Sequence, residues 1–326
     1  MGQKLRKKLR TIFTLIILTL TVAGYSQTKN DAIAAYNEGA QLIKTDVQGA
    51  INAFNKCLEI CNTLGEEGEE TKTMAEVQLP GLFYQRAMDS YKQKKYDEAI
   101  TRFEETVDVA GKYNNEQIRV KAEKIIPQLY YIKANALMKQ KEFQAAIENF
   151  DKAIELNPVN PKAYFNKGMV YKQLDNSEKM KEAMDKAIET GLSSNDIKTV
   201  ENAEKVTRST FYNKGVKAFG AKNYDEAEGF LKTSAEYGNK SVDLYYQLGK
   251  IYNIQKNWND AIKNVNKAIE LETGDDTAKA KLYFELATSY VGSGDTNSAC
   301  EAYKKAMFGP YAENAKYQIE QVLKCK

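Results

Sequence analysis

Histidine is absent from all 326 residues. The side chains left for chemistry are four cysteines, scattered carboxylates and 34 aromatic residues, 21 of them Tyr. Without imidazole there is no Ser-His-Asp or Cys-His relay, no His general base and no His metal ligand. The acidic run Glu66-Glu67-Gly68-Glu69-Glu70 is the densest carboxylate cluster. Nothing beside it offers metal-ligand spacing, so it reads as a solvated loop. Gly292-Ser293-Gly294 is a turn and not a phosphate loop, because no strand precedes it. The expectation is no catalytic residue, no metal, no cofactor and no enzyme.

The cysteines divide into two pairs. Cys57 and Cys61 lie one helical turn apart, and a CxxxC without His is a poor zinc site. Cys57 stands where other copies of a recurring phrase carry a small residue, which implies buried, inert thiols. Cys300 and Cys325 lie close to the C-terminus. A bridge there would pin the chain end in an oxidising compartment. It requires Cα atoms roughly 4.4–6.8 Å apart, which sequence alone does not fix.

The elements that position these residues come from internal repetition. One phrase reads Tyr96-Asp-Glu-Ala99, Phe143-Gln-Ala-Ala146, Tyr224-Asp-Glu-Ala227, Trp258-Asn-Asp-Ala261 and Thr296-Asn-Ser-Ala299, with weaker copies at Ala50 and Met180. Two of the gaps between copies are 34 residues. A second phrase precedes it: Tyr164-Phe-Asn-Lys-Gly168-Met-Val-Tyr171, Phe211-Tyr-Asn-Lys-Gly215, Tyr245-Tyr-Gln-Leu-Gly249-Lys-Ile-Tyr252, Tyr283-Phe-Glu-Leu-Ala287-Thr-Ser-Tyr290. An aromatic, a small residue four later and Tyr three after that fall on one helical face. Each unit is therefore two antiparallel helices crossing closely at the small residues.

At these residues the chain resembles the tetratricopeptide repeat (TPR) family. Tyr245, Leu248, Gly249, Tyr252, Ala261 and Ala268 match its motif slot by slot, and Pro158 matches the closing proline. Arg86, Lys133, Lys167 and Lys214 depart from it in a slot usually held by leucine, and Met180 replaces a helix-contact alanine. The resemblance implies an all-α fold, an α-solenoid (right-handed superhelix) of about seven helix pairs. The repeats fall near 31–64, 80–112, 127–158, 161–190, 208–238, 242–273 and 276–308. Extra residues at 112–127 and 191–207 extend the helices on either side of wider turns, and Pro80 and Pro127 suit a helix's first turn. A capping helix at 311–325 places Tyr311, Ala315, Ile319 and Val322 on one stripe.

The resemblance also implies a binding wall. The residue after each leading aromatic faces the concave side in TPR proteins, and here it is Tyr84, Tyr131, Phe165, Tyr212, Tyr246 and Phe284. Asn135, Asn166 and Asn213, with Met169, complete a candidate groove for an extended peptide or helix. Packing between repeats is the competing role for these aromatics. Some TPR proteins clamp a chaperone's C-terminal carboxylate. Asn135 and Asn166 fit that pattern, but Tyr131 stands where a clamp Lys belongs and Ser209 and Asn213 replace further cations. The ending Ala299-Cys300-Glu-Ala-Tyr-Lys-Lys-Ala306 with a terminal Cys looks like that of secreted bacterial TPR proteins.

The N-terminus carries Lys4, Arg6, Lys7, Lys8 and Arg10, then an apolar run over 12–23, then Gly24-Tyr25-Ser26. This is the three-part secretory signal, cut after Ser26. The run is too short to span a bilayer, which needs about 20 residues, so no stable membrane insertion follows cleavage. The whole chain has a charge of +3, but the remainder, 27–326, holds 42 basic and 44 acidic residues. A nucleic-acid partner is not expected of such a surface. The resulting expectation is an exported scaffold of the bacterial periplasm or envelope that binds a protein or peptide. The alternative is an envelope glycan- or nutrient-binding accessory protein whose aromatics stack on sugars.

Overall fold

A computed structural model describes residues 27–326; the expected signal segment, 1–26, lies outside the described residues. Among the described residues there is no β-strand, and no helix is long and apolar enough to cross a membrane. The chain divides into two compact units, one ending at Ala136 and the other beginning at Leu137.

The first unit contains α1 (Lys29–Leu42), α2 (Val47–Leu64), a 3-10 turn (Gly65–Gly68), α3 (Glu69–Lys92), α4 (Tyr96–Lys112) and most of α5 (Glu116–Lys139). The second contains α6 (Phe143–Leu156), α7 (Pro161–Gln173), α8 (Ser177–Ser193), α9 (Ile197–Gly220), α10 (Tyr224–Glu236), α11 (Val242–Ile254), α12 (Trp258–Leu271), α13 (Asp276–Ser293), α14 (Thr296–Lys305) and α15 (Ala312–Tyr317). Along the chain α1 to α14 alternate as first and second helices of repeats, the arrangement of an α-solenoid.

The recurring small residue is what lets paired helices meet. Ala50, Ala99, Ala146, Met180, Ala227, Ala261 and Ala299 are all completely buried. Their partners on the first helices match them in size. A Cβ added at Gly215 would lie 2.7 Å from Leu231 Cγ, so only glycine fits opposite that leucine. Met180 is buried in its alanine slot within a cluster that includes Met184 and Phe211. Its neighbour Met184 lies over Gly168, where a Cβ would come 2.9 Å from the Met184 methyl.

From α3 onward each first helix ends the same way. The residue after its last turn is left-handed: Lys94 (φ 60°), Lys141 (65°), Asp175 (54°), Lys222 (64°), Lys256 (60°) and Gly294 (84°). The next amide then reaches back five residues, as in Asn176 N–H to Tyr171 O (2.9 Å), Asn257 N–H to Tyr252 O (2.8 Å) and Asp295 N–H to Tyr290 O (3.0 Å). This closes the helix's free carbonyls in a Schellman turn. Asn176, Asn257 and Asp295 then cap the second helix through their side chains.

The basic residues in the leucine slot are accommodated as half-buried stems with paired heads. Lys167 reaches Asp151 and Lys214 reaches Asp175, each at 2.6 Å. Lys133 pairs with Asp97, and Arg86 with Glu105. The aliphatic stem covers the surface that leucine would cover while the cation stays at the rim.

Two expectations need correction. Pro80 and Pro127 are not in a first turn; both are buried inside 24-residue helices, α3 and α5. The inserted residues extend each first helix backward, and burial of Ala75, Leu79, Ala122 and Ile126 carries the helix through the backbone bond that proline cannot make. The cap is also not one regular helix. After α15 a π turn, Gln318–Val322, adds one residue to the helical register. Ala315 and Ile319 pack on the last repeat as expected, but Val322 is 51% exposed and Leu323 takes its place.

Candidate partner-binding surface

The six aromatics that follow the leading aromatic sit on first helices, and all are half-buried. Each unit presents its own set. In the first unit Tyr84 meets the buried Phe103 edge-on, with ring centroids 5.5 Å apart, so one side of the ring belongs to the core of α3 and α4. On α5 the Asn135 amide donates to Tyr131 O at 2.8 Å, which turns it toward its own helix.

In the second unit Phe165 and Met169, with Asn166 beside them on α7, pack onto a cluster containing Met180, Met184 and Phe211. Tyr212 packs beside Ala218, Leu231 and Leu244; its phenol is pushed up by burial and by the Asp243 carboxylate of α11. Asn213, next to it, is exposed. Phe284 touches Tyr303 and Tyr311 at 5.2 and 5.5 Å. Packing and display on a surface are therefore not exclusive here: Tyr84, Phe165, Tyr212 and Phe284 are each half-buried against other apolar side chains.

Around Tyr246 the structure brings together residues the sequence reading left out. Lys250 Nζ lies 4.6 Å from the Phe219 ring centroid and 5.5 Å from that of Tyr246. Lys281 Nζ approaches Tyr246 at 5.3 Å and the Asp243 carboxylate at 3.5 Å. Two cations thus meet one aromatic ring. Burial pushes the Tyr246 phenol well above its ordinary value, helped by Glu285 and Tyr311. The Glu285 carboxyl is also pushed upward by burial, opposed by the Asn253 amide at 2.5 Å and by Lys250. Asn253 is 8% exposed, and its own amide oxygen has no partner. Glu285 directly follows Phe284 in sequence, so its helical position was available; its burial depends on α11 and was not.

Cys57 and Cys61 are completely buried with sulfurs 3.9 Å apart. Burial and the neighbouring sulfur push the Cys57 thiol up to about 12, the environment of an inert thiol. Cys300 and Cys325 form a disulfide with Cα atoms 5.9 Å apart, tying α14 to the chain end. No group of three or more Cys, Asp or Glu among the described residues is placed to hold a metal ion.

Paired helices of repeating register, joined by the same turn, define a helical-repeat protein. The TPR-repeat family matches residues 134–175, and the tetratricopeptide-repeat family matches 161–190, 242–275 and 280–307. The chain carries tetratricopeptide repeats. No curated protein matches it. Among solved structures it is similar to YrrB, described as a TPR protein with an unusual peptide-binding site. That protein is 21% identical over 62% of this chain and 96% of its own, with a TM-score of 0.33. It is similar also to the TPR2AB domain of yeast Sti1, solved with pHSP90 (16% identity, 90% and 96% covered, TM-score 0.30). A third is the TPR domain of P58(IPK) (13%, 89% and 99%, 0.32). None of these likenesses bears on what this chain binds.

Proposed function

We propose that the chain is a non-enzymatic interaction scaffold that holds a protein or peptide on the first-helix faces of its repeats. The observation that carries this reading lies in the second unit. Four successive first helices each present a half-buried aromatic beside a polar or charged side chain: Phe165 with Asn166, Tyr212 with Asn213, Tyr246 with Lys250, and Phe284 with Glu285. Rigid amphipathic rings beside hydrogen-bonding groups are what hot spots on peptide-binding surfaces are made of. The basic, then apolar, then small-residue N-terminus supports export to the cell envelope, and a bound partner would then be met there.

Site-specific photocrosslinking tests this reading. A benzoylphenylalanine at exposed Asn213 should trap one defined protein from an envelope extract of the source cells. Tyr131→Ala with Tyr212→Ala, or Tyr246→Ala alone, should abolish that adduct. A crosslinker at Lys267, on a second helix, should not form it. Equal adducts from both positions, or survival of the adduct in both aromatic variants, would sink the proposal.

A further inference from the structure

A cleft of about 460 Å³ opens on the other side of the last repeats, between α12 and α14, with α13 as its floor. Tyr283 and Tyr290 stand on that floor, Asn266 comes from α12, and Asn297 from α14. None of the Asn266 and Asn297 amides or the two phenol hydroxyls forms a hydrogen bond within the protein among the described residues. Two amides and two hydroxyls, each able to donate and accept, thus face one space unengaged.

The preceding repeat carries a hydrogen-bonded network at the equivalent place. Each position there lies 34 or 38 residues earlier in sequence. Tyr252 corresponds to Tyr290, Lys232 to Asn266 and Glu228 to Ile262. In that repeat the Tyr252 hydroxyl and the Gln255 amide both donate to Glu228, each at 3.1 Å, and Lys232 pairs with Glu228 at 2.5 Å. The network engages the tyrosine hydroxyl within the protein. In the last repeat Ile262 cannot accept a bond and Asn266 cannot form an ion pair, so the Tyr290 hydroxyl is left without that partner.

We propose that this open cleft binds a short neutral oligosaccharide. Its two charged groups, Glu301 and Lys305, are of opposite sign. The cleft therefore carries no net charge to select an ionic ligand. Tyr283 and Tyr290 are two helical turns apart, about 10.5 Å along the axis. That span suits more than one sugar ring, with ring faces for stacking and amides for hydroxyls. The size lies within the range of small-ligand sites, about 300–1,000 Å³. This site is separate from the first-helix surface proposed above, and either can fail without the other.

The test is calorimetric titration of the full chain with maltotriose, cellotriose, laminaritriose, mannotriose and chitotriose. The controls are a glucuronate trimer and a neutral Gly-Ser peptide. At least one neutral trisaccharide should bind. Asn266→Ala, Asn297→Ala and Tyr290→Phe should each weaken binding about threefold to tenfold, the loss expected for one hydrogen bond. Ile262→Glu with Asn266→Lys rebuilds the preceding repeat's network and should abolish binding while thermal stability is kept. No binding by any neutral sugar overturns the proposal. So does binding that survives the rebuilt network, or tighter binding of the glucuronate or the peptide than of every neutral sugar.

Discussion

Removing the Cys300–Cys325 bridge should detach the cap while leaving the repeats folded. The bridge closes a loop with a sequence separation of 25. Chain entropy alone then assigns it about 3.5 kcal/mol at 25 °C. The segment it holds has little else. α15 is six residues long, far below the roughly 12–15 at which an isolated helix becomes marginal in water. Its apolar anchors on the last repeat are Ala315, Ile319 and Leu323. In a repeat array a terminal element leans on one neighbour only, so its loss need not unfold the next unit. In Cys300→Ala with Cys325→Ala, the opening equilibrium of the cap should rise by a few hundredfold, since about 1.4 kcal/mol is a factor of ten. The amides to follow are Leu323, bonded to Gln318 O at 2.9 Å, and Cys325 (Ala in the variant), bonded to Ile319 O at 2.9 Å. Hydrogen exchange with mass spectrometry, comparing oxidised protein with the variant and with dithiothreitol-reduced protein, reads this directly. Peptides covering 311–323 should lose protection in both, while α12 stays within threefold of the oxidised protein. Unchanged protection of 311–323 would show that packing, not the bridge, holds the cap. The Tyr311 contact with Phe284 would then be independent of redox state.

Three further outcomes follow from local geometry. Lys256→Gly, and its equivalents Lys94→Gly, Lys141→Gly and Lys222→Gly, relieve a left-handed backbone that costs an ordinary residue about 1–2 kcal/mol. After glycine's own entropy cost each should stabilise by up to about 1 kcal/mol in urea unfolding, and a uniform loss would contradict the turn assignment. Glu285 is held above the ordinary carboxyl range by burial, so the folded state binds its proton more tightly than the unfolded state does. That contribution is complete below the ordinary carboxyl pKa and disappears as pH rises through the shifted value. Glu285→Gln should therefore stabilise the fold at pH 7 by about 1 kcal/mol, read as a raised Tm, and give no gain at pH 4; a gain larger at pH 4 would reverse the sign. With the Cys57 thiol pushed up to about 12, neither Cys57 nor Cys61 should react with Ellman's reagent at pH 8 until guanidinium is added. Stoichiometric labelling in native buffer within minutes would refute their burial.

The repeat period was legible because it rests on a hard steric requirement. A small residue must stand where two helices cross, and all seven copies of that slot, Met180 included, are buried. The turns were legible only as polar breaks. Their left-handed lysines are invisible to a composition rule that looks for glycine, because a Schellman turn is enforced by the carbonyls it satisfies and tolerates the residue it is given. Pro80 and Pro127 misled for a related reason: local preference places proline at a helix start, while burial upstream of it decides where the helix begins. The π turn moved Val322 outward by one residue, which no period of 3.6 anticipates.

For the surface, sequence located the rings but not their company. Lys250 lies one turn from Tyr246 on α11, but Lys281, Glu285 and Tyr311 join it only when α13 and the segment after α14 are brought beside that helix. Register within a helix is a property of neighbours in sequence, whereas desolvation is a property of neighbours in space. Comparison between repeats recovers part of what single-helix reading loses. Glu228 and Ile262 occupy the same slot 34 residues apart, and the first is bonded to a tyrosine whose counterpart in the next repeat is left free. Ile51, Ile100 and Ile147 hold that slot as Ile262 does, so Glu228 is the exception, and its bonds show what a single acceptor does to a tyrosine that the motif otherwise leaves free. Where that acceptor is absent, the unpaired amides and hydroxyls give a ligand something to bind.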